Sequence, residues 1–162
     1  MTLKSLTYCE YEGDPKYWGL ERIEFGSVNL LVGRNATGKT RVLNVALSIC
    51  RLISGQQGRP FSSGRFDVEV ELSGCLYRYI VSFDNRKVIE EQLSVDGVIR
   101  LSRNVDGEGE VFYASEDKNI AFRVGDDTIA LQNKNDRLQH PFINTLVEWA
   151  ASVAHYPFGT DF

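Results

Sequence analysis

Residues Gly33-Arg34-Asn35-Ala36-Thr37-Gly38-Lys39-Thr40 read G-x-x-x-x-G-K-T. Two glycines at this spacing let the chain curl so that successive N–H groups face one centre, in a turn that joins a strand to the start of a helix. A random chain of this length matches the pattern roughly one time in two hundred. The flanks fit it. Ser27-Val28-Asn29-Leu30-Leu31-Val32 predicts a short buried strand. From Thr40 to Ile53, Val42, Leu43, Val45, Ala46, Leu47, Ile49, Cys50, Leu52 and Ile53 predict a helix apolar on most sides, lying inside a layered fold.

The chemistry that needs this spacing is phosphate binding. Lys39 reaches the β- and γ-phosphates of a nucleoside triphosphate, the Thr40 hydroxyl suits Mg²⁺, and the helix turns its positive end toward the same charge. The candidate binding residues are therefore Gly33, Arg34, Asn35, Ala36, Thr37, Gly38, Lys39, Thr40 and Arg41. Lys39 is the candidate catalytic residue and Thr40 the candidate metal ligand.

At 162 residues, with 43% hydrophobic and 25% charged content, the chain has the size and balance of one globular domain. Residues 1–20 lack the apolar core of a signal peptide, and no run approaches the length of a membrane span. Cys9, Cys50 and Cys75 are scattered and odd in number, which suggests neither a disulfide framework nor a zinc site and points to a reducing cytoplasm. His140 and His155 are too far apart for a metal cluster. The net charge of −4 argues against DNA binding by the chain itself, and Arg51, Arg59 and Arg65 around a loop are the one local basic candidate.

Around the phosphate motif, Leu3–Tyr11 and Trp18–Phe25 predict a strand pair, completing a first section over 1–53 with the motif and its helix. A loop follows over 54–65. Residues 66–131 predict an antiparallel region without helices. Phe66-Asp67-Val68-Glu69-Val70-Glu71-Leu72 alternates faultlessly, and Leu76–Phe83, Val88–Val95, Val98–Leu101, Glu110–Ala114, Ile120–Val124 and Thr128–Leu131 continue it. Asp96-Gly97 is a favoured hairpin pair. Pro141, then Phe142, Ile143, Leu146, Val147, Ala150 and Val153 at spacings of three and four, predict a helix over 141–155 with Trp149 near the edge of its apolar face. The apolar end, Tyr156 to Phe162, reads as an interrupted chain.

Strand pair, phosphate motif, helix and antiparallel meander together resemble the first lobe of ABC-type ATPases, nearest the SMC/RecF/OLD-like branch of AAA-family ATPases. Ile23, Phe25, Gly26, Val28, Asn29, Leu30, Leu31, Val32, Gly33, Asn35, Gly38, Lys39 and Thr40 carry the likeness, and Ala36-Thr37 depart from it. The resemblance implies an α/β (mixed α+β) P-loop NTPase fold, an ABC-ATPase-like lobe with a strand–P-loop–helix unit and a large antiparallel meander, incomplete at its C-terminus, and ATP with Mg²⁺ as cofactors. It also implies a partner, either the remainder of the ATPase or a second head in a homodimer, acting in DNA repair or phage defence.

That family also uses an acidic motif, four apolar residues then Asp-Glu, and a Leu-Ser-Gly-Gly-like signature. Tyr79–Asp84 imitates the first, but Asn85 follows; Leu72-Ser73-Gly74 and Leu93-Ser94-Val95 imitate the second within strands. ATP binding with little or no turnover by this chain is the expectation. Gln132 and Gln139 are candidates for the family's magnesium-contacting glutamine, and Tyr11 and Trp18 for its base-stacking aromatic. Two alternatives use the same motif. One is a non-catalytic ATP sensor or assembly module. The other is a small GTPase-like protein reading guanine with Asn133-Lys134-Asn135-Asp136, a reading opposed by the absence of helices between residues 66 and 131.

Overall fold

The computed structural model describes residues 2–34, 38–57, 61–154 and 156. Eight strands form one sheet: β1 (Thr2–Glu10), β2 (Trp18–Glu24), β3 (Ser63–Leu72), β4 (Cys75–Asp84), β5 (Lys87–Val95), β6 (Val98–Arg103), β7 (Glu108–Tyr113) and β8 (Lys118–Arg123). Their order is β2-β1-β3-β4-β5-β6-β7-β8, and every neighbouring pair is antiparallel. Three helices are described: α1 (Lys39–Ile53), α2 (Ala130–Asn133) and α3 (Pro141–Ser152).

This overturns the expected fold class. A P-loop NTPase is built on a parallel central sheet with many helices, and this sheet is antiparallel throughout. Chain length explains the outcome. Parallel neighbours need a crossover of a dozen residues or more. From β3 onward the strands are joined by two to four residues, which permits only hairpins. Asp96-Gly97 (φ 50° and 80°), Ser73-Gly74 (52° and 84°) and Asn85-Arg86 (48° and 64°) make three of these turns with the left-handed backbone such hairpins favour.

The single crossover lies between β2 and β3. Both pair with β1 and run opposite to it, so they point the same way and no hairpin can join them. The chain must return across a face of the sheet, and α1 makes that return. At its start, Arg41 reaches Glu10 of β1 and Trp18 of β2. At its end, the Leu52 carbonyl accepts from Gln132 of α2, whose own N-terminus is held by Glu91 of β5. The helix thus crosses the sheet from its β1/β2 edge toward β5.

One face of the sheet is the core. Phe66, Val68, Val70 and Leu72 of β3 and Tyr77, Tyr79, Val81 and Phe83 of β4 pack against Ile49, Leu52 and Ile53 of α1 and Ile143, Leu146 and Trp149 of α3. The other face is wet and charged, as one side of an antiparallel sheet can be. Asp67 takes the Arg78 guanidinium through two bonds of 2.9 and 2.6 Å, Arg22 and Ser5 meet on Glu69 at 2.6 and 2.9 Å, and Lys4 pairs with Glu71 at 2.5 Å.

Four local expectations are corrected. Ser27–Val32 is not a strand: Val28, Leu30 and Val32 are 88%, 86% and 79% exposed. The Asn29 side chain is the reason, accepting from the Gly26 N–H at 2.9 Å and donating to the Gly26 carbonyl at 3.0 Å, which bends the run into a local turn. Secondly, α1 buries one side only, with Leu43 exposed and Val42 and Leu47 half-buried. Thirdly, Thr128–Leu131 does not extend the meander but opens α2, because Glu91 accepts the N–H groups of Ala130 and Leu131. Trp149 also lies in the core, not at the edge of the α3 face.

Candidate phosphate-binding turn

Gly38 precedes α1 with φ 89° and ψ 7°, a left-handed conformation that glycine adopts without steric cost. Its carbonyl accepts the Val42 N–H at 3.1 Å, the first bond of the helix. The N-cap residue Gly38 has no side chain to cap this end and the first turn holds no acid, so among the described residues no side chain is seen to cap the leading N–H groups. Lys39 folds back over the turn, its ammonium donating to the carbonyls of Gly33 at 2.7 Å and Arg34 at 2.6 Å. Those two carbonyl oxygens stand where anionic oxygens would be preferred. Thr40 is exposed beside them. Asn35, Ala36 and Thr37 lie outside the described residues.

Arg41 points elsewhere. Its guanidinium pairs with Glu10 and lies 3.6 Å from the centre of the Trp18 ring. The other Glu10 oxygen accepts the Tyr8 hydroxyl at 2.9 Å. Burial, with the Glu10 carboxylate beside it, pushes the Tyr8 phenol well above the usual tyrosine range. Trp18 therefore has one face covered by Arg41. Tyr11 is more open. It lines a cleft of about 510 Å³ with Glu12, Asp14, Ser63, Asp84 and Arg86, at the end of the sheet where β1 ends.

The remaining candidates are dispersed. Gln132 donates to the Leu52 carbonyl, about 20 Å along α1 from Lys39 at 1.5 Å per residue, so it sits at the wrong end of the helix for a magnesium contact at Thr40. The main chain of Gln139 closes a turn, its N–H donating to Asp136 and its carbonyl accepting from Ala114. Asp136 accepts the N–H groups of Leu138 and Gln139 at 2.8 and 3.0 Å, which holds its carboxyl below the usual range and occupies the oxygen that guanine reading would need. Lys134 lies over the Phe122 ring at 5.0 Å, and Asn133 ends α2. Asp84 ends β4 and accepts from Asn85 at 3.1 Å within the hairpin. Ser73-Gly74 is the β3–β4 turn and Leu93-Ser94-Val95 lies inside β5. Arg65 turns to Glu90 and Ser82 on the charged face of the sheet, whereas Arg51 sits on α1 across the opposite face; Arg59 lies outside the described residues.

One buried polar group was not among the candidates read from the sequence. Glu91 is fully buried in β5 and accepts the Tyr79 hydroxyl at 3.0 Å and the N–H groups of Ala130 and Leu131 at 2.7 and 2.8 Å. Arg103, also buried, donates to the carbonyls of Thr128, Gly125 and Val88. Together they fasten residues 125–131 to the sheet. Only the misfit of a glutamate at an inward position of β5 could have exposed this.

Among the described residues no group of three His, Cys, Asp or Glu side chains is arranged to hold a metal, and no helix is long and apolar enough to cross a membrane. Comparison with protein-family models, with curated proteins and with solved structures finds no match.

Proposed function

We propose that residues 33–40 bind the phosphates of ATP, with the glycine turn supplying N–H donors, Lys39 the compensating charge and Thr40 the hydroxyl for Mg²⁺. The observation that carries the reading is the Lys39 ammonium held by the Gly33 and Arg34 carbonyls, next to the glycine-capped start of a fifteen-residue helix. An anion entering there replaces two neutral acceptors with charged ones. Mg²⁺ would be shared between Thr40 and the phosphates, where it neutralises their charge when bound.

Binding without rapid turnover fits the surroundings. Glu10 is the carboxylate tied to this turn through Arg41, and both its oxygens are engaged, one by Arg41 and one by Tyr8. A carboxylate so engaged is a poor base for activating water. A sensing or assembly role for bound ATP follows from this better than an independent ATPase. A guanine-reading role has no support from Asp136, whose carboxylate closes its own turn.

Calorimetric titration of Mg-ATP and of Mg-GTP into the wild-type chain and into Lys39→Ala tests the proposal. ATP binding that disappears in Lys39→Ala is the expected result. Equal affinity in the two proteins, or no binding of either nucleotide, refutes it.

A further inference from the structure

The first turn of α1 has little beneath it. Thr40, Arg41, Leu43 and Asn44 are exposed, Val42 is half-buried, and Val45 is the first fully buried side chain of the helix. Apolar burial therefore does not hold residues 38–41 in place. Arg41 supplies the tie. One side of its guanidinium pairs with Glu10 at the end of β1, and its flat face rests on Trp18 at the start of β2. Glu10 is steadied by the Tyr8 hydroxyl, and the Tyr8 ring lies 5.7 Å from that of Trp18. A planar, delocalised cation can stack on the ring while its edge meets the carboxylate, a geometry that a lysine ammonium does not reproduce.

We propose that Arg41, Glu10 and Trp18 form a clasp that positions the phosphate-binding turn, Arg41 itself making no phosphate contact. The proposal rests on the reading of residues 33–40 as a nucleotide-phosphate site. Anion capture by backbone N–H groups depends on their being aligned before the anion arrives, since the cost of ordering them is otherwise subtracted from affinity. The clasp fixes the helix end against the β1/β2 edge and so keeps those groups aligned. The motif alone would instead assign Arg41 to the phosphates. These two roles make opposite demands on Glu10. If Arg41 is a clasp, neutralising Glu10 loosens the turn and weakens binding. If Arg41 swings to the phosphates, Glu10 competes for it, and neutralising Glu10 strengthens binding.

The experiment is Mg-ATP titration of the whole chain as wild type, Glu10→Gln, Arg41→Met, Arg41→Lys and the Glu10→Gln/Arg41→Met double variant, with tryptophan emission followed in the same titrations. An exposed ion pair and a cation–π contact together correspond to roughly three- to tenfold in affinity. The clasp predicts losses of that size in each single variant, no further loss in the double variant, and no rescue by lysine. It also predicts that wild-type emission stays constant on ATP addition, because Arg41 remains on Trp18. Amide exchange provides a readout independent of ligand: the Val42 N–H, which the Gly38 carbonyl accepts, should exchange faster in Glu10→Gln while residues 45–53 keep their protection. Binding that is lost in Lys39→Ala but unchanged or tighter in Glu10→Gln overturns the clasp alone. So does an emission change on ATP addition that Trp18→Phe abolishes. Failure of the wild type to bind ATP overturns the phosphate reading and the clasp with it.

Discussion

The Glu91 carboxylate accepts the Leu131 N–H at 2.8 Å across forty residues of chain, and with the Ala130 N–H on its other oxygen it caps a helix that its own sequence does not cap. Burial raises the Glu91 carboxyl above its usual range, while the two N–H donors, the Tyr79 hydroxyl and Arg103 oppose that rise. Glu91→Gln keeps the shape but turns an N–H₂ toward one of the backbone donors. We expect it to cost about 2–3 kcal/mol, the penalty of an unsatisfied buried donor. Glu91→Ala should cost more, because it also leaves Arg103 without its buried counter-charge. Urea denaturation checks both; losses under about 0.5 kcal/mol would show that α2 does not depend on this cap.

His140 is nearly fully buried, its Nδ1 2.9 Å from the Phe112 carbonyl and its ring edge-on to Tyr113. Burial lowers its pKa below the usual histidine value of 6.5, so the native state favours the neutral ring. A group depressed in this way stabilises the fold above the unfolded-state value and loses that contribution as pH falls through the folded value. Stability should therefore decline from about pH 6.5 downward, before the carboxylates titrate. In His140→Gln this part of the decline should be absent. Denaturation midpoints measured every half unit between pH 5 and 8 will register it; identical profiles for both proteins would refute it.

Gly109 in β7 tolerates no side chain. A Cβ there would meet the Ser102 carbonyl oxygen at 2.0 Å, the Arg103 Cα at 2.9 Å and the Phe122 ring at 2.9 Å, on both flanking strands. Gly109→Ala must spread β6 and β8 from β7, at a cost of about 2 kcal/mol or more. Gly55→Ala is the reference, since a Cβ at that position meets nothing and only the left-handed backbone (φ 75°) is strained. If thermal melting shows equal losses for the two, steric crowding at Gly109 is not the cause.

Replacing Val28, Leu30 and Val32 together by serine should leave the melting temperature within about 2 °C of wild type, because these side chains are exposed and removing surface apolar groups changes stability little. Light scattering at high concentration should fall, an exposed apolar run being an association hazard. A loss of several kcal/mol would instead mean that this run is buried in the folded protein.

Where the strands lie was largely legible, because apolar and polar residues alternate and the alternation stops at turn-forming pairs. The run Phe66 to Leu72 shows inward Phe66, Val68, Val70 and Leu72 against outward Asp67, Glu69 and Glu71. The same rule misled at Ser27–Val32. An apolar run states a preference for burial without supplying a partner strand, and the Asn29 amide closes a turn on Gly26. It misled again at Thr128–Leu131, where the cap is a glutamate from another strand. In the candidate site, the left-handed Gly38 and the helix start at Lys39 were readable from spacing because both are set within one turn. The direction of Arg41 was not readable, since Glu10 and Trp18 reach it through the fold.

By itself the sequence determined the local conformations: hairpins wherever two turn residues separate alternating runs, a left-handed glycine at Gly38, and amphipathic helices after Gly38 and at Pro141. These are short-range matters of backbone freedom and side-chain period. The tertiary structure alone decided how the pieces join. Two strands pointing the same way on either side of β1 forced α1 across the sheet, which set its exposed first turn against Glu10 and Trp18 and left Gln132 at its far end. Such placements depend on which distant groups become neighbours, and pairing of that kind is set by the whole sheet and not by any one segment of it.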